Sequence, residues 1–126
     1  MIQANDLRIG NLIQLIYESN RPALEERIVR VDRIDEIGVE ILENGERVFG
    51  ASYELLEGIP LTEEILLKCG ARRIDKYTFV LLGLFIHMRK IGFVFNVGKK
   101  KIVIEHLHQL QNLTFALTNT ELNITL

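Results

Sequence analysis

One cysteine in 126 residues leaves nothing for Cys69 to pair with. An internal disulfide is excluded, and the chain agrees with a reducing compartment. Long apolar runs are missing too. The longest, Phe79 to Ile86, is broken at Gly83 and falls far short of the ~20 residues that a membrane helix needs. The N-terminus lacks the charged and apolar regions of a signal peptide, so a cytoplasmic protein is expected. Asn112-Leu113-Thr114 and Asn123-Ile124-Thr125 match glycosylation acceptors, but without a secretory signal they read as chance. No C-x-x-C or H-E-x-x-H spacing occurs, and no internal repeat or low-complexity tract.

Charge is present, and it is unevenly placed. Residues 1–60 carry six Arg and no Lys against twelve Asp and Glu, whereas residues 61–126 carry nine Lys and Arg against five acids. Between Lys68 and Lys101, Asp75 is the only acid among nine cations. Such a split suggests that one end meets an anionic partner, or that opposite ends of neighbouring chains meet each other.

The length fits one domain, or two small subdomains sharing a core. Residues 1–60 read as short strands. Arg8-Ile9-Gly10-Asn11 is a turn signal before the apolar run Leu12 to Tyr17. Residues 18–26, with Pro22, read as a loop. Ile28, Val29, Val31 and Ile34 mark a strand, Asp35 to Gly38 a turn, and Val39, Ile41 and Leu42 the returning strand. Asn44-Gly45 is the strongest hairpin signal, with Arg47, Val48 and Phe49 beyond it. Together these predict a small SH3-like barrel or curled sheet over 1–60.

Thr62 followed by Glu63 and Glu64 predicts a helix start, because the hydroxyl can accept a backbone N–H and the acids suit the positive end of the dipole. Ile65, Leu66 and Cys69 give its apolar face and Gly70 its stop. The runs 77–82, 84–89, 92–97 and 101–105, punctuated by Gly83, Gly92 and Gly98, predict an antiparallel meander. A hairpin at Leu82-Gly83 is preferred to a single strand over 74–88. A second helix is expected from Glu105 to Leu117, with Leu107, Leu110, Leu113 and Leu117 in one arc. Glu121 to Leu126 reads as a final strand. The fold class is α+β.

His108, Gln111, Asn112 and Phe115 fall opposite the leucine arc and form a candidate protein-contact face. The plainer alternative is that Phe115 widens the apolar face and the polar groups are solvated. For metals, Cys69, His87, His106 and His108 are the available ligands, and an H-x-H pair on a helix points its rings ~200° apart, so no metal site is expected. Gly92 to Gly98 with Lys99-Lys100 lacks Walker A spacing and the hydroxyl residue after the lysine. Cys69 reads as core, and no nucleophile has an assignable base; no catalytic residue is expected, and no cofactor. Asp32, Asp35 and Glu36 read as a polar turn.

The basic stretch leaves Arg72, Arg73, Arg89, Lys90, Lys99, Lys100 and Lys101 as candidate anion-binding residues at strand ends. In a four-stranded meander Arg72 and Arg73 share an end with Arg89 and Lys90; with one long first strand they join the lysines instead. Solvated turns that discourage edge pairing are the alternative. Modest aromatic content near these cations and the overall acidity argue against a general nucleic-acid role.

Three segments taken together carry a resemblance. They are Asn5-Asp6-Leu7-Arg8-Ile9-Gly10-Asn11; Ile59-Pro60-Leu61-Thr62-Glu63-Glu64 with Leu66-Leu67-Lys68 and Gly70; and His108-Gln109-Leu110-Gln111-Asn112-Leu113 with Phe115-Ala116-Leu117-Thr118. In this order the chain resembles a family of small uncharacterised proteins common in Bacteroides-type genomes, prophages and mobile elements, with Thr114 where an aromatic is expected. The resemblance implies a phage or mobile-element accessory protein. The expected function is non-enzymatic binding through protein contacts or self-association. A nucleotide or nucleic-acid ligand on the basic strand ends is the alternative, and no membrane partner is expected.

Overall fold

The computed structural model describes residues 2–18, 21–43, 46–122, 124 and 126, with side chains outside 17–27 and 43–49. Its contacts group the chain into two units, Met1–Ile59 and Pro60–Leu126. Among the described residues the protein is mostly β, with two antiparallel sheets and two α-helices.

In the first unit, apolar side chains at every second residue choose the buried face. Ile13 and Leu15 of β1 (Leu12–Glu18), Val29 and Val31 of β2 (Arg21–Ile34), and Val39 and Ile41 of β3 (Gly38–Glu43) form one core. Ala51 of β4 (Glu46–Ser52) and Leu56 of β5 (Leu56–Glu57) complete it. The sheet order is β4-β3-β2-β1-β5. It is open, with β4 and β5 at its edges. β2 is long because its first part pairs with β1 and its last residues pair with β3. Residues 21–26, read from the sequence as loop, belong to this strand. Pro22 sits next to its start, opposite Tyr17, where a missing N–H is tolerated.

The turns follow local chemistry. Asn11 N–H donates to the Arg8 carbonyl at 3.0 Å, and Asn11 Oδ1 accepts from Arg8 N–H at 2.7 Å. Asp35 Oδ1 accepts from the N–H groups of Ile37 and Gly38 at 2.8 and 2.9 Å. These bonds hold the Asp35 carboxyl below the ordinary carboxylate range, the Gly38 bond contributing most. Beyond the β2–β3 turn, β3 and β4 pair as far as Glu43 and Glu46. The Asn44-Gly45 hairpin lies outside the described residues.

The second unit begins with α1 (Glu63–Lys68). Thr62 Oγ1 accepts from Ile65 N–H at 3.2 Å, and Gly70 takes φ +97° beyond its end. A five-strand meander follows, ordered β10-β9-β8-β7-β6. It contains one strand more than expected, β6 (Arg72–Asp75), ahead of β7 (Thr78–Leu81), β8 (Leu84–Arg89), β9 (Gly92–Val97) and β10 (Lys100–Ile104). Leu82 and Gly83, at φ 50° and 78°, turn β7 into β8 as a hairpin with two positive-φ residues. The buried face holds Phe79, Leu81, Ile86, Phe93, Phe95 and Ile104, and the Phe79 and Phe93 rings meet edge to face at 6.4 Å.

The second helix, α2 (Leu107–Thr118), packs against β10. It starts two residues later than the sequence pattern indicates. Gln109 Oε1 accepts from the N–H groups of Glu105 and His106, each at 2.9 Å, and Asn119 closes the helix in the left-handed conformation. The expected final strand is not formed among the described residues 121, 122, 124 and 126. The apolar alternation there is used to bury Leu122 and Ile124 without sheet pairing.

Candidate anion-binding site

Register across the meander decides which cations meet. Arg89 pairs with Gly92, His87 with Val94, and Val94 with Val103. Directly paired residues share a face, and so do residues two apart on one strand. Arg89, His87, Val94, Val103 and Lys101 therefore lie on one face. It is the face opposite the Phe79–Ile86–Phe95 core row.

On this outer face an open hollow of about 440 Å³ is lined by Arg89, Lys90, Ile91, Val94, Lys101 and Val103. Val94 is buried, while Arg89, Lys90 and Lys101 are exposed. Three cations thus border an apolar surface. Arg89 contacts the Met88 carbonyl at 3.4 Å. Among the described residues, none of the three cations is held in an ion pair with an acid. At the Gly92 end of the hairpin, Glu105 Cγ would stand 3.6 Å from a Cβ built on Gly92.

The other candidate cations are dispersed. Arg72, on β6, pairs with Val80 of β7 and lies on the outer face, but at the far edge of the sheet from β10. Arg73 faces the other way. It forms an ion pair with Glu63, donates to the Lys76 carbonyl at 3.0 Å, and places its guanidinium 5.0 Å from the Phe79 ring centre. Arg73 is therefore engaged with other groups of the same unit. Lys99 and Lys100 stand at the opposite end of the β9–β10 hairpin from the Arg89–Gly92 turn. By register Arg72 and Arg73 lie toward the end of the sheet that holds Lys99 to Lys101, but on the opposite edge strand, β6, rather than beside them.

A polar chain lies along the same face. Tyr77 N–H donates to Asp75 Oδ1 at 3.0 Å, and this bond, with the Thr78 hydroxyl, keeps the Asp75 carboxyl below its ordinary range. Thr78 Oγ1 lies 3.3 Å from His87 Nδ1. The hydroxyl and the ring nitrogen are thus within hydrogen-bond distance across β7 and β8.

The residues of the candidate protein-contact face on α2 differ in exposure. His108 and Gln111 are buried, and Asn112 and Phe115 are half-buried. The helix is turned about its axis relative to the leucine arc: Leu107 and Leu110 are buried, Leu113 is half-buried and Leu117 is exposed. Thr114 permits this rotation. It is buried, and its hydroxyl donates back to the Leu110 carbonyl at 2.8 Å. His106 and His108 are not splayed either. His106 precedes the helix in an extended conformation, and the two rings stack with centres 5.7 Å apart.

Among the described residues no group of three or more His, Cys, Asp and Glu is placed to hold a metal ion, and no helix is long and apolar enough to cross a membrane. Cys69 is buried, and burial pushes its thiol up to about 11, away from the range of a reactive nucleophile. No protein-family model, no curated protein and no solved structure matches this chain.

Proposed function

We propose that the chain is a non-enzymatic binding protein whose second unit takes an anionic ligand on the outer face of its sheet. The observation that carries this reading is the hollow of about 440 Å³ where Arg89, Lys90 and Lys101 surround Ile91, Val94 and Val103. Cations beside apolar surface suit a ligand with both a phosphate and a flat or apolar part, a nucleotide or nucleic acid being the plainest case. Residues 60–126 carry nine Lys and Arg against five acids, so the field around this unit favours an anion. The first unit fits an SH3-like curled sheet: β2 is shared between β1 and β3, a one-turn helix at Tyr53–Leu55 precedes β5, and β5 returns to β1. The setting supported by the sequence resemblance is that of a cytoplasmic phage or mobile-element accessory protein.

The test is calorimetric titration with inorganic polyphosphate across a salt series. Binding weakens as salt rises, and the triple variant Arg89→Ala, Lys90→Ala, Lys101→Ala loses most of it. The double variant Lys99→Ala, Lys100→Ala, at the other end of the hairpin, keeps it. Equal losses in both variants would reduce the interaction to diffuse charge and refute the site.

Protein association is the second reading, favoured by the excess of acids over Arg in residues 1–60. If the acidic part of one chain meets the basic part of another, sedimentation without added ligand shows a larger species that dissociates with salt. A monomer at every salt concentration removes it.

A further inference from the structure

We infer that the outer face of the second unit's sheet is a platform for single-stranded nucleic acid, with the Phe85 ring stacking on a base. This rests on the anion-binding reading and specifies its ligand.

Phe85 is the key residue. It pairs with Val80, which pairs with Arg72. Continuing the Ile86–Phe95 register by one residue sets Phe85 opposite Asn96, and Asn96 pairs with Lys101. One cross-strand row therefore reads Arg72, Val80, Phe85, Asn96, Lys101. It places an aromatic ring in the middle strand and a cation on each edge strand. The edges are four strand spacings apart, about 19 Å at ~4.8 Å each, a length suited to a few nucleotides rather than one.

Phe85 is 56% exposed although it sits mid-sheet. Such exposure leaves the ring accessible to a planar partner. The next row adds His87, fixed by Thr78, and then Val94 and Val103 at the floor of the hollow. Arg89 and Lys90 continue the cationic border at the end of β8. Asp75 is the acid of this row, and its oxygens are already engaged by Tyr77 N–H and the Thr78 hydroxyl; Glu105 lies at the end beside Gly92.

A central ring flanked by cations on an exposed antiparallel sheet is the combination that single strands require: bases stack on the aromatic, and the backbone follows the positive border. In a duplex the base faces are stacked on one another and unavailable to Phe85. Low overall aromatic content and net acidity speak against such a role when the chain is taken as a whole, but the acids are concentrated in residues 1–60, and a platform needs few rings if they are exposed.

Fluorescence anisotropy on the full chain tests the inference with short labelled oligothymidylate and oligouridylate, the same oligothymidylate annealed to its complement, and inorganic polyphosphate as competitor. Phe85→Ala should weaken oligonucleotide binding about tenfold and leave polyphosphate binding unchanged, and Phe85→Trp should restore it. Arg72→Ala and Lys101→Ala should each reduce the salt dependence. Oligothymidylate and oligouridylate binding alike would mean stacking without sugar recognition; preference for one would add a contact to the sugar; either supports the platform. Oligonucleotide binding indifferent to Phe85→Ala, or duplex binding as tight as single-strand binding, would overturn the platform while leaving the anion site standing. Failure of both oligonucleotide and polyphosphate to bind would overturn both.

Discussion

A Cβ atom on Gly38 would stand 2.0 Å from the carbonyl oxygen of Ala51. The two residues are on neighbouring strands, and β3 can follow β4 this closely only because Gly38 has no side chain. Gly38→Ala should therefore destabilise the first unit by about 2–4 kcal/mol, since backbone, not a flexible side-chain end, must give way. At Gly50, on β4, an added Cβ meets only the Val39 carbonyl oxygen at 3.7 Å, an ordinary contact. Gly50→Ala is the control, expected within about 1 kcal/mol of the parent. Urea midpoints of the two variants check the contrast, and equal shifts would contradict the close approach.

The rotation of α2 gives a second paired expectation. Leu110 is fully buried, whereas Leu117, in the same leucine arc, is 41% exposed. Leu110→Ala should cost about 2–5 kcal/mol, and Leu117→Ala should stay within about 0.5–1 kcal/mol. Similar losses at both positions would return the helix to the orientation that the leucines alone imply.

Gly70 follows α1 at φ +97°, with open space where a Cβ would stand, so any penalty there is conformational. Gly70→Ala should cost about 1 kcal/mol, and Gly70→Val more, because a β-branched residue resists positive φ. A Val variant as stable as the parent would mean that the backbone readily finds another way to leave the helix.

Acid should weaken two turns in particular. Asp35 and Asp75 both have carboxyls held below their ordinary range by backbone N–H donors, Gly38 first for Asp35 and Tyr77 first for Asp75. A depressed folded-state pKa adds stability above the unfolded carboxylate value near 4, and that stability is lost as pH falls through the lower folded value. Asp35→Ala and Asp75→Ala should thus be less stable than the parent at neutral pH. The difference should narrow as pH falls below about 4. Urea unfolding over a pH series measures it, and a difference that widens in acid would reverse the assignment.

How much of this was legible from residues alone varies with how local the cause is. β7 to β10 show in the sequence nearly to their ends, because Val, Ile and Phe recur between Gly83, Gly92 and Gly98. The Thr62 cap and Gly70 stop are local chemistry and are read directly. β6 is hidden because its side chains are all exposed, so no alternation marks it. The orientation of α2 is hidden for the opposite reason. Buried His108, Gln111 and Thr114 look like a solvent face until the helix is seen packed, and Thr114 meets its hydrogen-bonding need inside the helix. Arg89, Lys90 and Lys101 are recognisable as cations in a basic stretch. That they share a hollow while Arg73 is drawn to Glu63 depends on the register of five strands, which no short pattern encodes.

Cys69 makes the second unit its own stopwatch. The thiol closes α1, is 8% exposed, and is pushed up to about 11 by burial. A thiol raised in this way is little ionised near neutral pH, and burial shields it from reagents. Alkylation in native buffer therefore advances only when this corner opens. Since there is a single sulfur in the chain that can react this way, the labelling rate followed by mass reports the opening of one known place, with no engineered probe.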